Sequence, residues 1–188
     1  NRCRRQRQMC IRDSLKVIGG LNPITFFKKM KDVILFAFST SSSAATIPVT
    51  LKTANQDLGV NQNVASFVVP VGATINMDGT AIMQGLATVF IAQMSGIDLT
   101  LFQYMQVVLL AVATSIGTAA VPSAGTITLI IILQQFNLPL EAIGIILAVD
   151  RVLDMIRTSV NVTGDAAIAC IVAKTENQLD ENIFNSKA

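Results

Sequence analysis

Histidine and tryptophan are absent from this 188-residue chain. With no imidazole there is no His-based catalysis and no His-ligated metal centre. Charge is the next shortage: only 14% of the residues are Asp, Glu, Lys or Arg, against roughly 25% in soluble domains. A water-facing surface needs charge to cover it, and residues 53–150 hold no Lys or Arg at all. A bilayer makes every buried cation costly, so the gap argues against a soluble domain. The three cysteines, Cys3, Cys10 and Cys170, form no CxxC pair, which removes a zinc or redox site. There is no P-loop, no GxGxxG turn and no Ser–His pair, so no soluble enzyme motif stands out. What the chain has in quantity is apolar sequence, 52% of it, which excludes disorder. No distributed basic surface remains to bind nucleic acid.

The cations that exist are unevenly placed: nine of the fourteen Lys and Arg lie in the first 31 residues. Residues 1–14 carry five Arg and look foreign to the rest of the chain. They read as a non-native or disordered segment, with a basic lipid-facing arm as the functional alternative. The working unit is 15–176, and the polar tail 177–188 is expected to be mobile. Spanning a bilayer takes about 20 apolar residues. The stretches 64–95 and 140–174 are long enough, although Asn76-Met77-Asp78-Gly79-Thr80 interrupts the first. Two other segments are not. Each has a short apolar arm, a tip of small residues with a proline, and a second short arm. The tips are Ser39 to Pro48 and Gly117 to Gly125. This is the pattern of a re-entrant hairpin, whose irregular tip must be covered by protein or line a cavity. The predicted fold is therefore an all-α membrane protein. Its order is hairpin 1 (24–56), a spanning helix broken mid-membrane (60–95), hairpin 2 (101–137) and a polar-striped spanning helix (140–174). The repeated order suggests two units of inverted topology.

The chemistry concentrates in the last helix. At about 100° per residue, Asp150, Asp154, Arg157, Thr158, Asn161 and Asp165 fall within an arc of roughly 100°, while Val152, Ile156 and Val160 face the other way. Such a stripe costs several kcal/mol unless its members are paired or hydrated. A structural ion-pair ladder or a solute and cation path would both meet that need. The Arg157 fork matches a carboxylate, and Asp154, one turn away, suits an ammonium. Together they describe an acidic amino acid. Asp165, with Asn76, Asp78 and main-chain carbonyls, offers hard oxygen ligands for an alkali cation and no soft donors. Half-helix N-termini at the two tips present free N–H groups to a carboxylate, and Gly117 and Gly125 are candidate hinges of a gate.

Four motifs, in order, resemble the glutamate transporter family, the dicarboxylate/amino-acid:cation symporters. They are Ser41-Ser42-Ser43 before Thr46-Ile47-Pro48, then Asn76-Met77-Asp78-Gly79-Thr80, then Ser115-Ile116-Gly117-Thr118, then Asp154-Met155-Ile156-Arg157-Thr158 with Asn161-Val162-Thr163-Gly164-Asp165. The resemblance covers about Leu15 to Glu176 and the C-terminal part of such a protein, so the chain reads as a fragment holding part of a transport domain. It implies a symporter, not an enzyme, with no cofactor and with sodium as coupling ion. The domain would move across the membrane like an elevator, in a multi-pass protein of the cell membrane that is a homotrimer at full length. By resemblance, Ser42, Ser43, Thr80, Val121, Gly125, Asp154, Arg157, Thr158 and Asn161 bind substrate. Gly72, Asn76, Asn161 and Asp165 match one sodium site. Thr74, Ser115, Ile116 and Thr118 match a second, and Asn76 and Asp78 match part of a third.

Departures from the family pattern refine this expectation. Arg157 is retained, which favours an acidic amino acid. Gln84 stands where proton-coupled animal relatives carry Glu, which argues against proton coupling. The auxiliary arginine of many relatives is replaced by Ser41 and Met155, and Arg151 is the candidate substitute. The within-class alternative is a C4-dicarboxylate:cation symporter, against which Asp154 argues, because a ligand without an amine leaves it unpaired. An intramembrane aspartyl protease lacks its Tyr-Asp and Gly-x-Gly-Asp signatures here. A passive ion pore would show no aspartate counter-flux.

Overall fold

The computed structural model describes residues 11–186. Most of the arginine-rich start, with Cys3 and Cys10, lies outside the described residues. Residues 11–14, which the sequence groups with that start, fall in a helical segment, 11–17, whose Leu15 is fully buried.

Beyond that segment the helices are α1 (Pro23–Lys29), α2 (Lys31–Thr40), α3 (Ser43–Gln56), α4 (Gln62–Ile75), α5 (Asp78–Met94), α6 (Leu101–Ile116), α7 (Ala124–Gln135), α8 (Ile143–Thr175) and α9 (Glu181–Asn185). The described residues contain no strand, only an isolated bridge between Val60 and Leu179. Local chemistry explains the starts. Asn22 caps α1 and Pro23 sits in its first turn, where a missing N–H costs nothing. Ser42 caps α3, and Thr100 forms a reciprocal capping box with Gln103 on α6. The sequence 64–95 becomes two helices because Asn76 (ψ 60°) and Met77 (ψ 39°) leave helical geometry. Amides and acids favour such breaks, and Asp78 suits the positive end of α5.

Arms α2 and α3 touch, as do α6 and α7, and α8 runs against α2, α3, α4, α5 and α7. Two apolar clusters flank the polar stripe. One gathers Leu15, Phe26, Met30, Leu58, Val69, Ala166 and Cys170, the other Ile91, Leu129, Leu133 and Ile146. Helix α8 carries Ile146 into the second cluster and Ala166 to Ala173 into the first. Its stripe from Asp150 to Asp165 therefore lies between two oily ends.

Among the described residues, no helix is long and apolar enough to cross a membrane. The reason is a division of labour. The apolar helices are short, 12 residues in α7 and 17 in α5, while α8, with 33 residues, carries the charges. Many large apolar side chains stay exposed, among them Leu101 at 81%, Phe102 at 71% and Ile127 at 67%.

The tail corrects the expectation of mobility. Phe184 is fully buried in the first cluster, Asp180 caps α9, and Asp180 N donates to Gly59 O at 2.8 Å. Lys29 Nζ donates to Asp57 O (2.8 Å), Ile183 O (2.6 Å) and Ser186 Oγ (3.1 Å). One ammonium thus ties the feet of α1 and α3 to α9.

Candidate functional site

The two tips meet over the middle of α8. Ser41, in the left-handed region (φ 52°, ψ 27°), ends α2. The next residue, Ser42, starts α3 and accepts from Ala45 N at 3.2 Å. Its hydroxyl donates to Ala120 O at 3.0 Å, and Ala44 N donates to the same carbonyl at 3.2 Å. One carbonyl of the second tip therefore takes two hydrogen bonds from the first.

The second tip is also held from below. Ser123 N donates to Asp154 Oδ2 at 2.8 Å, and Thr126 Oγ1 donates to Asp150 Oδ1 at 2.6 Å. These pairs run antiparallel, so α7 lies against the stripe of α8 in one fixed register. Asp150, Asp154, Arg157, Thr158, Asn161 and Asp165 are all buried. The arc read from the sequence is thus the buried face of α8. Arg151, the candidate substitute for the auxiliary arginine, is exposed. It stands about 100° from Asp150 around the helix, off the buried face.

Arg157 folds back on Asp154. Its Nε donates to Asp154 Oδ1 at 3.1 Å, and its Nη2 makes an ion pair with the same oxygen. Its Nη1 is buried with no hydrogen-bond partner. A β-carbon on Gly125 would lie 2.5 Å from that nitrogen, so only glycine lets the second tip approach the guanidinium so closely. The cavity these groups enclose measures about 10 Å³, room for one water. All the predicted substrate residues except Ser42 line it, together with Ser41, Met77, Thr118, Ala119 and Ala120. Sequence reasoning missed Met77, whose sulfur is 3.6 Å from both Thr80 Oγ1 and Asn161 Nδ2. Its place within the Asn76–Thr80 break was the available signal.

The predicted cation residues divide. Gly72, Asn76, Asn161 and Asp165 come together. Asn76 Nδ2 donates to Asp165 Oδ1 at 2.8 Å and to Asn161 O at 3.5 Å, and a β-carbon on Gly72 would stand 2.7 Å from Asp165 Oδ1. Asn161 Oδ1 in turn accepts from Gly79 N at 2.7 Å, which braces the break against α8. One carboxylate with amide and carbonyl oxygens suits a hard monovalent cation. Among the described residues, no three acidic or thiol side chains gather to hold a metal. Thr74 and Ser115 direct their hydroxyls into their own helices, to Val71 O and Val112 O at 2.9 and 2.8 Å, and the Thr118 hydroxyl sits between Thr114 O at 2.8 Å and Thr128 Oγ1 at 3.1 Å. Ile116 is exposed, as is Asp78 in the first turn of α5.

Gln84 is fully buried at the centre of a further network. Its Nε2 donates to Gly125 O (3.1 Å) and Thr128 Oγ1 (2.6 Å), and its Oε1 accepts from Thr114 Oγ1 (3.0 Å). A single amide thereby joins α5 to both arms of the second hairpin.

Comparison with known proteins shows the family. Residues 10–175 match the profile described as the sodium:dicarboxylate symporter family. The chain is 48% identical over 172 residues to excitatory amino acid transporter 3 of Mus musculus, covering 91% of this chain and 33% of that protein. It is 47% identical over 156 residues to excitatory amino acid transporter 2 of Homo sapiens, covering 83% and 27%. An excitatory amino acid transporter of Caenorhabditis elegans is 47% identical over 151 residues, covering 80% and 30%. The chain spans about a third or less of the length of these curated relatives.

Proposed function

Because the chain belongs to the sodium:dicarboxylate symporter family, we propose that it is the substrate- and ion-binding part of a secondary active symporter. It couples inward sodium movement to uptake of an acidic amino acid, glutamate or aspartate. The relatives' names, excitatory amino acid transporters, support that substrate class. The observation that carries the reading is Arg157: 7% exposed, ion-paired with Asp154, and with Nη1 unpartnered in a cavity roofed by both tips. A buried guanidinium with a free donor needs an anion. Beside it, Asp154 needs a cation once that anion has drawn Arg157 away. An acidic amino acid supplies both charges, and a C4-dicarboxylate supplies only one.

Helices α2–α3 and α6–α7 are re-entrant hairpins of inverted topology, α4–α5 is a broken span and α8 a polar-striped one. The exposed apolar faces of α6 and α7 support a lipid or protein surround. The gathered oxygens of Asn161 and Asp165, with the Asn76 amide turned to present its oxygen, form one sodium site. Thr74, Ser115, Ile116 and Thr118 form a second through main-chain carbonyls, and Asn76 and Asp78 contribute to a third. The protein resides in the cell membrane as a multi-pass homotrimer and works by elevator-type alternating access.

Exchanging residues 15–176 for the aligned segment of human excitatory amino acid transporter 2 and measuring labelled aspartate uptake into vesicles tests this. Uptake should require an inward sodium gradient and vanish in Arg157→Ala, and Asp165→Asn should need more sodium. Uptake of succinate without aspartate would overturn the amino-acid assignment. Flux without aspartate counter-flux would overturn the symporter.

A further inference from the structure

The first hairpin carries a second pattern on its outer side, away from the cavity. Residues 15–31 hold four lysines and no acid. Lys29 turns inward to the feet of α3 and α9, whereas Lys28 and Lys31 are exposed. Met30 joins α1 to α2 at φ −81° and ψ −4°. Its N–H donates to Phe26 O at 3.0 Å and its carbonyl accepts from Ile34 N at 2.9 Å, so helical rotation continues through the junction. At about 100° per residue, Lys28, Lys31, Leu35 and Phe38 then share an arc of roughly 80°. Phe26, Met30, Val33 and Ala37 stand on the opposite side, fully buried in the first apolar cluster. Leu35 is 66% exposed and Phe38 42%. The outer stripe therefore runs from two cations to two apolar side chains. Asp32, the nearest acid in sequence, lies about 100° from Lys31 around the helix.

We propose that this stripe is a binding site for an anionic phospholipid, with Lys28 and Lys31 on its phosphate and Leu35 and Phe38 along its acyl chain. The inference rests on the membrane placement proposed above and not on the substrate assigned to the cavity. Charge complementarity selects the head. Two ammonium groups with no acid on their face favour a headgroup of net negative charge over a zwitterionic one, which brings a cation of its own. The apolar half selects the tail. Inorganic phosphate would meet the lysines and leave Leu35 and Phe38 unmatched, and a purely apolar ligand would do the reverse. A phospholipid meets both along about 10 Å of helix, the rise from Lys31 to Phe38. Lysine suits the boundary, because its stem lies along hydrocarbon while the ammonium reaches the headgroups.

The chain contains no tryptophan, so Leu35→Trp places a single fluorescent reporter on the stripe. The 188-residue chain is reconstituted in vesicles of phosphatidylcholine and phosphatidylglycerol, with the acyl chains of one or the other lipid brominated to quench the indole. Brominated phosphatidylglycerol should quench at a relative affinity about fivefold or more above that of brominated phosphatidylcholine. The preference should vanish in Lys28→Gln/Lys31→Gln and persist in Lys28→Arg/Lys31→Arg. These exposed substitutions should leave the melting curve unchanged. Added inorganic phosphate should not reverse the quenching. Equal quenching by the two lipids overturns the proposal and leaves the membrane placement standing, and so does a preference that survives the double glutamine variant. No quenching by either lipid overturns the membrane placement itself. The same probe belongs in the chimera with excitatory amino acid transporter 2, whose own tryptophans are first replaced by phenylalanine. A reporter that no lipid reaches there means that protein covers the stripe, which also overturns the proposal.

Discussion

Removing Asp154 alone should destabilise the protein more than removing Asp154 and Arg157 together. The two side chains are buried, 2% and 7% exposed, and Asp154 serves three donors: Arg157 Nε, Arg157 Nη2 and Ser123 N. Asp154→Ala leaves a guanidinium with no acceptor, since Nη1 had none to begin with. Stranding a buried charge costs about 3–5 kcal/mol, and the orphaned Ser123 amide adds about 1 kcal/mol or more. For a chain of this size the charge alone corresponds to a fall in Tm of about 6–20 °C. The double variant Asp154→Ala/Arg157→Ala has no stranded charge, so the coupling energy should reach about 2–3 kcal/mol. Circular dichroism melts of the four proteins in nanodiscs would measure it. Additivity within about 0.5 kcal/mol, or a cost for Asp154→Ala below about 1 kcal/mol as at an exposed pair, would refute the reasoning. A ligand arm sharpens the comparison. Aspartate at a hundred times its Kd should stabilise the wild type by about 2.7 kcal/mol and neither single variant.

Gly72→Ala should raise the sodium concentration needed for aspartate binding and destabilise by about 1–3 kcal/mol, because its β-carbon would stand 2.7 Å from Asp165 Oδ1. Gly85→Ala meets nothing within 4 Å inside α5 and should gain about 0.5–1 kcal/mol; a denaturant titration of both variants checks the opposite signs. Gln84→Met keeps the volume but removes the hydrogen bonds to Gly125 O and Thr128 Oγ1 and the one from Thr114 Oγ1, costing about 1–3 kcal/mol, with faster hydrogen exchange expected in α7. Phe184→Ala should cost about 3–5 kcal/mol and expose 178–186 to protease, whereas a tail that was never docked would be cut equally fast in the wild type.

The stripe on α8 was legible because helical period is a local property: Asp150, Asp154, Arg157, Asn161 and Asp165 recur at spacings that share a face, and that face is buried. The break at Asn76–Thr80 was legible for a similar reason, since side chains that compete for backbone hydrogen bonds sit mid-run. The tail was not. Residues 177–183 are polar apart from Leu179 and Ile183, and the burial of Phe184 goes with contacts to Lys29 and Gly59, more than a hundred positions away in the chain. The register of the second tip was equally hidden. Ser123 meets Asp154 and Thr126 meets Asp150, but neither partner betrays the other in the sequence.

The pairing of Arg157 with Asp154 explains how two charges are held among apolar surroundings. Two opposite charges three residues apart on one helix face satisfy each other, and part of their desolvation cost is offset internally. The same arrangement sets selectivity under the proposed reading. A ligand carrying only an anion recruits Arg157 and strands Asp154. One carrying only a cation recruits Asp154 and strands Arg157. Either exchanges one buried ion pair for another plus an orphan charge, which costs several kcal/mol. Only a ligand with a cation and an anion at matching positions replaces the internal pair without leaving a charge over. Discrimination against succinate therefore follows from the Arg157–Asp154 pair itself. It should collapse in Asp154→Asn, where no negative charge remains to be stranded.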